Sequence, residues 1–304
     1  MARPNKKHHK IPSTYLSGFT DNTGQLWIAD RKLKLYSQKP KSILTENDYY
    51  TVRFKNGGGT LNIETKYLGG IEGSYASIYK EKLSNHKPIS RIEKAKLAVF
   101  VASMLQRQPA IRKSMEKFFQ DVTEMIKHME EVPIEQRRKY ASIMPPSSGK
   151  GIPASDLIEA GKDIGSLHSG SIPKGVTNIA PIIFGMHWAF VVKPENSNPF
   201  LTSDNPCVMA NPIAEMKWGL GSFGASPGLA QSDIELTLPL SSNLVLMCGW
   251  QYKGDCDYLI IPEEYVDEIN RRTTRYAEVI ISSSQSMLEA IIERLRKRNK
   301  SKTK

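Results

Sequence analysis

The spacing of apolar and polar positions changes period several times along the chain, and each change marks an element. After a basic arm, IPSTYLSGF (11–19) concentrates apolar and aromatic side chains that anchor the N-terminus to a core. The turn DNTG introduces QLWIAD, and KLKLYSQ alternates Lys with Leu in the period of two that marks a half-buried strand, so a hairpin is expected. TVRF and TLNIE flank the turn-prone NGGG and predict a second hairpin. From Lys66 the period becomes helical, with Leu68, Ile71, Tyr75, Ile78 and Tyr79 on one side, although Gly69, Gly70 and Gly73 weaken the start. Ser90 and Glu93 form a capping-box pattern ahead of Ile92, Ala95, Val99 and Phe100. Pro109 suits the first turn of a further helix, whose one apolar face carries Ile111, Met115, Phe118, Phe119, Val122, Met125, Ile126 and Met129.

Residues 132–178 lack apolar periodicity, so this stretch is expected to be a loop or insertion, unless ASDLIEAGKDIGSL contains a short helix. Beyond it, HWAFVV, PFLTS, IELTLPL and NLVLMCGW read as short strands. Pro262, Glu263 and Glu264 favour a helix start, with Val266, Ile269, Thr273, Tyr276, Ala277 and Ile280 inside. Ser286 with Glu289 then precedes a short amphipathic helix. The expected class is α+β, with short antiparallel strands packed against a central helical segment and C-terminal helices. A single composite domain over 1–293, followed by a basic tail over 294–304, describes this order.

Composition narrows the setting. With 304 residues, 39% of them hydrophobic, a self-supporting core is expected. The basic N-terminus is not followed by an apolar stretch, as a signal peptide requires, and the longest apolar run, Ile182 to Val192, is too short to cross a bilayer. Cys207, Cys248 and Cys256 lack CxxC spacing and indicate neither a disulfide framework nor a zinc ribbon, so a cytoplasmic location without transmembrane association is expected. Formal net charge is +11 and unevenly placed. Residues 1–150 hold 27 Lys and Arg against 14 Asp and Glu, whereas 151–250 hold 4 against 8, and the last eleven residues add seven bases without an acid. Such a distribution attracts a polyanion, or else is a solubilising surface.

Several polar residues stand where chemistry is plausible on physical grounds. His9, next to His8 and just before the apolar anchor, is placed to ligate a metal or carry a proton. Glu72 lies one turn from Leu68, Tyr75 and Tyr79, so its carboxylate must be paired, metal-bound or protonated; Glu64 is a weaker second candidate. Arg107 and Arg112 flank the junction LQRQPAIR, where two guanidinium groups suit phosphate or carboxylate, or else cap helices and pair with acids. Asp204 and Asn205, in FLTSDNP, offer either a strand-edge carboxylate for metal or base chemistry or an Asx turn. Asn270, beside an apolar helix face, is a structural bridge or a site residue, and His187 is a ligand or a core-edge histidine.

Seven pieces, HKIPSTYLSGF (9–19), ILTENDYY (43–50), the IE pair (71–72), QRQPAIR (106–112), FLTSDNP (200–206), LPLS (238–241) and VDEINRRTTRYAEVIIS (266–282), resemble the uncharacterised, mostly microbial domain-of-unknown-function family 4238. The HxxPxxYLxxF and SDNP matches are the most specific. The resemblance implies signature roles for His9, Glu72, Arg107, Asp204 and Asn270. Gln108 stands where the family often has Ser or Thr, so no hydroxyl role carries over. The resemblance brings no activity with it.

The leading expectation is a metal-dependent phosphodiesterase or nuclease acting on nucleic acid. His9, Glu72 and Asp204 would hold magnesium or manganese or activate water, Arg107 and Arg112 would neutralise phosphate, and Asn270 would orient the site, with Asn205 and His187 touching substrate. Two other classes stay open: a noncatalytic module binding nucleic acid or another anionic partner, and a structural protein-interaction domain in which the same residues lock helices to strands.

Overall fold

The computed structural model describes residues 7–54, 58–143, 152–218 and 228–302. Strand β1 (Lys7–His9) runs into a short helix α1 (Ser13–Leu16), where Tyr15 and Leu16 are buried as the anchor pattern predicts. Strands β2 (Leu26–Asp30) and β3 (Leu35–Gln38) form the first hairpin, and β4 (Thr45–Asn47) pairs antiparallel with β1. The second hairpin joins β5 (Val52–Arg53) to β6 (Gly59–Thr60); residues 55–57 of its turn lie outside the described residues.

A π-helical turn, Ile63–Leu68, passes directly into helix α2 (Gly69–Glu81). Helix α3 (Arg91–Gln106) begins at the expected capping box: Ser90 Oγ accepts from the Glu93 N–H at 3.3 Å, and the Glu93 carboxylate accepts from the Ser90 N–H at 2.6 Å. Pro109 opens α4 (Pro109–Glu131), but no residue of α4 is buried, so its apolar face is not the inner face of the core.

The expected loop over 132–178 is largely helix. Helices α5 (Ile134–Ile143), α6 (Ala154–Gly161) and α7 (Ile164–Gly185) occupy it, and only 144–151, including the PPSSGKG stretch, lie outside the described residues. In α7 the buried positions Ile164, His168, Ile172, Val176, Ala180 and Ile183 recur every three or four residues. The interior prolines Pro173 and Pro181 and four glycines obscure that stripe, because each is a poor helix former on its own. Packing overrides propensity here: α7 lies along α3, whose Leu97, Phe100, Val101 and Met104 are fully buried.

The second half builds two sheets. The strands are β7 (His187–Val192), β8 (Thr202–Ser203), β9 (Val208–Ala210), β10 (Glu235–Ser241), β11 (Leu244–Gly249), β12 (Asp257–Ile260) and β13 (Val279–Ser282), with helices α8 (Pro212–Trp218), α9 (Glu263–Thr274) and α10 (Gln285–Lys302) between or after them. The five-stranded sheet has the order β12-β7-β11-β10-β9, antiparallel except for β12 on β7. The four-stranded antiparallel sheet has the order β3-β2-β13-β8 and so joins the two ends of the chain. The architecture is α+β.

Two boundaries differ from the pattern reading. Helix α9 stops at Thr274, and Ile280, expected on its inner face, lies in β13 between β2 and β8. Helix α10 is capped by Ser284, whose Oγ accepts from the Met287 N–H, and it continues through 294–302, the stretch expected to be a tail. Leu288 and Ile292 hold it to the four-stranded sheet, and no Gly or Pro follows them to break it among the described residues. Among the described residues no helix is long and apolar enough to cross a membrane.

Candidate functional site

Arg107 caps the C-terminus of α3, and its side chain is completely buried. A buried guanidinium must find acceptors. Three are present: Nη1 donates to Glu72 Oε1 at 2.5 Å, Nη2 to the His9 carbonyl at 2.7 Å, and Nε to the Tyr50 hydroxyl at 3.0 Å. Tyr50 in turn donates its hydroxyl proton to the Lys10 carbonyl, and its own N–H donates to His8 Nδ1 at 2.9 Å. One arginine thereby ties the N-terminal strand, the Tyr49–Tyr50 segment and α2 to the central helix α3. Burial works against the charge of Arg107, and Tyr50 and Glu72 more than offset it, so the guanidinium stays firmly protonated.

Glu64 completes the cluster from the π-helical turn. Its Oε2 is buried without a hydrogen-bond partner. Burial, with a smaller push from Glu72, raises the carboxyl to about 7; Arg107 and the His9 N–H oppose the rise without cancelling it. Two acids in unlike surroundings therefore flank one arginine. Glu72 is ion-paired and 23% exposed, while Glu64 exchanges its proton near neutrality. π-helical turns frequently place side chains at functional sites, because the wider turn re-aims residues that an α-helix would hold elsewhere.

The other expected residues divide between this cluster and a second locus. His9 reaches the cluster through its backbone; its ring Nε2 lies 3.2 Å from the Lys41 carbonyl. Arg112 sits over the Tyr49 ring at 4.7 Å, with Lys10 5.1 Å from the same ring, and Tyr49 packs edge-on against Tyr50. These two cations form a rim beside Arg107, Lys10 paired with Glu46 at 2.7 Å and Arg112 with Glu116 at 3.4 Å. Arg112 also lines a cleft of about 490 Å³ between α4 and the α6–α7 junction.

Asp204, Asn205 and Asn270 belong to the second locus, where each bonds to backbone. Asp204 Oδ1 accepts from the N–H groups of Glu278 and Val279 at 2.9 and 3.2 Å, fixing the entry to β13, while burial raises its carboxyl above the ordinary range. Asn205 Oδ1 accepts from the Ala110 N–H, which links SDNP to the start of α4. Asn270 accepts from the Leu201 N–H at 2.8 Å and donates to the Pro199 carbonyl at 3.0 Å. Asp204 and Asn205 thus bridge distant segments rather than forming the local Asx turn expected of them, and Asn270 is the structural bridge that its position allowed. His187 opens β7 in the five-stranded sheet and is exposed. No group of three or more His, Cys, Asp or Glu able to hold a metal ion is found among the described residues, so His9, Glu72 and Asp204 do not form one there.

Comparison with known proteins adds a family and nothing further. A family model described as "Protein of unknown function (DUF4238)" matches residues 7–286. No curated protein and no solved structure matches the chain.

Proposed function

Because this chain belongs to the DUF4238 family, whose description names no activity, its function must be argued from its own cluster, and we propose that it is a hydrolase cleaving phosphodiester bonds of nucleic acid by general acid–base chemistry. The observation that carries this reading is Glu64: a carboxyl held near pH 7 by burial, next to an arginine that cannot lose its charge. In its ionised form Glu64 takes a proton from the attacking water, whose oxygen bonds to phosphorus as the P–O bond to the sugar oxygen breaks, and protonated Glu64 then returns that proton to the leaving oxygen. Arg107, though buried, raises the local positive potential, and Lys10 and Arg112 on the rim meet the phosphate. A divalent cation, magnesium or manganese, would take its carboxylate ligand from Glu72 and leave Glu64 free as the base; Asp204 is held by backbone N–H groups elsewhere.

A second reading has its own support. Arg107, Asp204 and Asn270 all join distant segments, a scaffolding role that needs no catalysis, and the basic excess of the first half suits a noncatalytic module that binds a polyanion. Incubation with labelled single- and double-stranded DNA and RNA, with magnesium, manganese or a chelator, separates the two. Glu64→Gln should lower cleavage by about 10²-fold or more with unchanged circular dichroism. Cleavage indifferent to Glu64→Gln sinks the acid–base assignment, and salt-sensitive retention without cleavage by the intact protein leaves the binding module.

A further inference from the structure

We propose that the exposed apolar seam of α4 is a self-association surface on which α4 of a second copy of this chain packs antiparallel. The seam is Ile111, Met115, Phe118, Val122, Met125 and Met129. Their spacing alternates four and three, the heptad rhythm that keeps one stripe facing a partner helix over successive turns. A helix that merely covers a globular core buries such a stripe against its own chain. In α4 most of the stripe stays open: Phe118 is 57% exposed, Met125 55%, Met129 52% and Ile111 37%, while Met115 and Val122 are half-buried. Helix α4 packs on α6 and α7 through the neighbouring flank, where Arg112 meets Gly165 and Phe119 packs on α6 so closely that a side-chain carbon built on Gly161 would lie 3.3 Å from its Cβ.

Charge selects the occupant and its direction. Residues 109–119 of α4 carry three bases against one acid, and residues 120–131 carry one base against four acids. Two copies aligned in parallel would set like charges side by side, whereas an antiparallel pair sets the basic half of each on the acidic half of the other. That arrangement is isologous and closes as a two-fold dimer. Helix α4 is about 34 Å long at 1.5 Å per residue, so the seam is a small interface, and dimerisation in the micromolar range is expected. This inference stands apart from the cluster at Glu64.

The test is sedimentation of the full chain from about 1 to about 100 µM, the range in which a small interface equilibrates. A reversible dimer is expected, and Phe118→Glu should make it monomeric with unchanged circular dichroism, since that side chain is outside the core. Lys117→Glu, and separately the double change Asp121→Lys with Glu124→Lys, should each weaken self-association several-fold at low salt, while an equimolar mixture of the two restores a dimer. A wild-type chain that stays monomeric overturns the proposal, as does a dimer insensitive to Phe118→Glu. Failure of the mixture to associate overturns the antiparallel pairing.

Discussion

At the scale of single residues, Glu64 and Arg107 set the chemistry. A carboxyl raised by burial stabilises the fold in its neutral form. Its contribution is fully present below the ordinary glutamate range and is lost as pH rises through about 7. Wild-type stability should therefore fall between pH 5 and 8 by an amount on the order of 2 kcal/mol after allowance for screening, and Glu64→Gln should flatten that slope. Denaturant titrations at several pH values check this, and an unchanged slope would refute the assignment. The proposed base role has the opposite sense, because the ionised form is the active one: cleavage should rise as pH passes 7. Arg107→Gln should cost about 3–5 kcal/mol, since it leaves Glu72 and the His9 carbonyl without their buried donor. The pairing of Glu72 with an arginine was legible from its place beside an aromatic helix face. The weight of Glu64 was not, because in a uniform α-helix positions 64 and 72 diverge by about 80°, and only the π-helical turn rephases them.

At the scale of elements, what the pattern revealed depended on whether local preference and packing agree. The capping box of α3, the two hairpins and Pro109 at the start of α4 are local signals, each completed by bonds within a few residues, and all are found in the fold. Helix α7 is the reverse: prolines and glycines argue against a helix, and only the contact with α3 along Ile172, Val176 and Ile183 makes one. The same distinction bears on Asn270. Its amide spans from α9 to the Pro199–Leu201 segment, a long-range bond that sequence could offer only as one of two alternatives. Asn270→Ala should destabilise by about 1–3 kcal/mol, because it orphans a buried N–H and a carbonyl. Thermal unfolding measures that loss. Cleavage per folded molecule should not change, and a selective loss of activity at full stability would return Asn270 to the site.

At the scale of the whole molecule, charge is read by the partner rather than by the fold. The excess of bases in the first half was plain in the sequence; the placement of the last bases was not, because a run of Lys and Arg shows no packing of its own. Helix α10 carries Arg294, Arg296 and Lys297 onward from Leu288 and Ile292, which are held against the four-stranded sheet. These bases thus extend from a fixed base instead of hanging from a free tail, and they lie beyond the span matched by the family model. A helix that presents several bases to a polyanion releases one set of counterions per phosphate met, so the logarithm of affinity should fall with the logarithm of salt by about 0.9 for each duplex contact. Ending the chain after Glu293 should leave Glu64 and Arg107 undisturbed while making that dependence shallower by roughly 1–3 units, as one to three contacts are lost. Filter retention of duplex DNA across a salt series reads the slope directly. A truncated chain with the full slope would place the polyanion on the first half alone, beside the rim of Lys10 and Arg112.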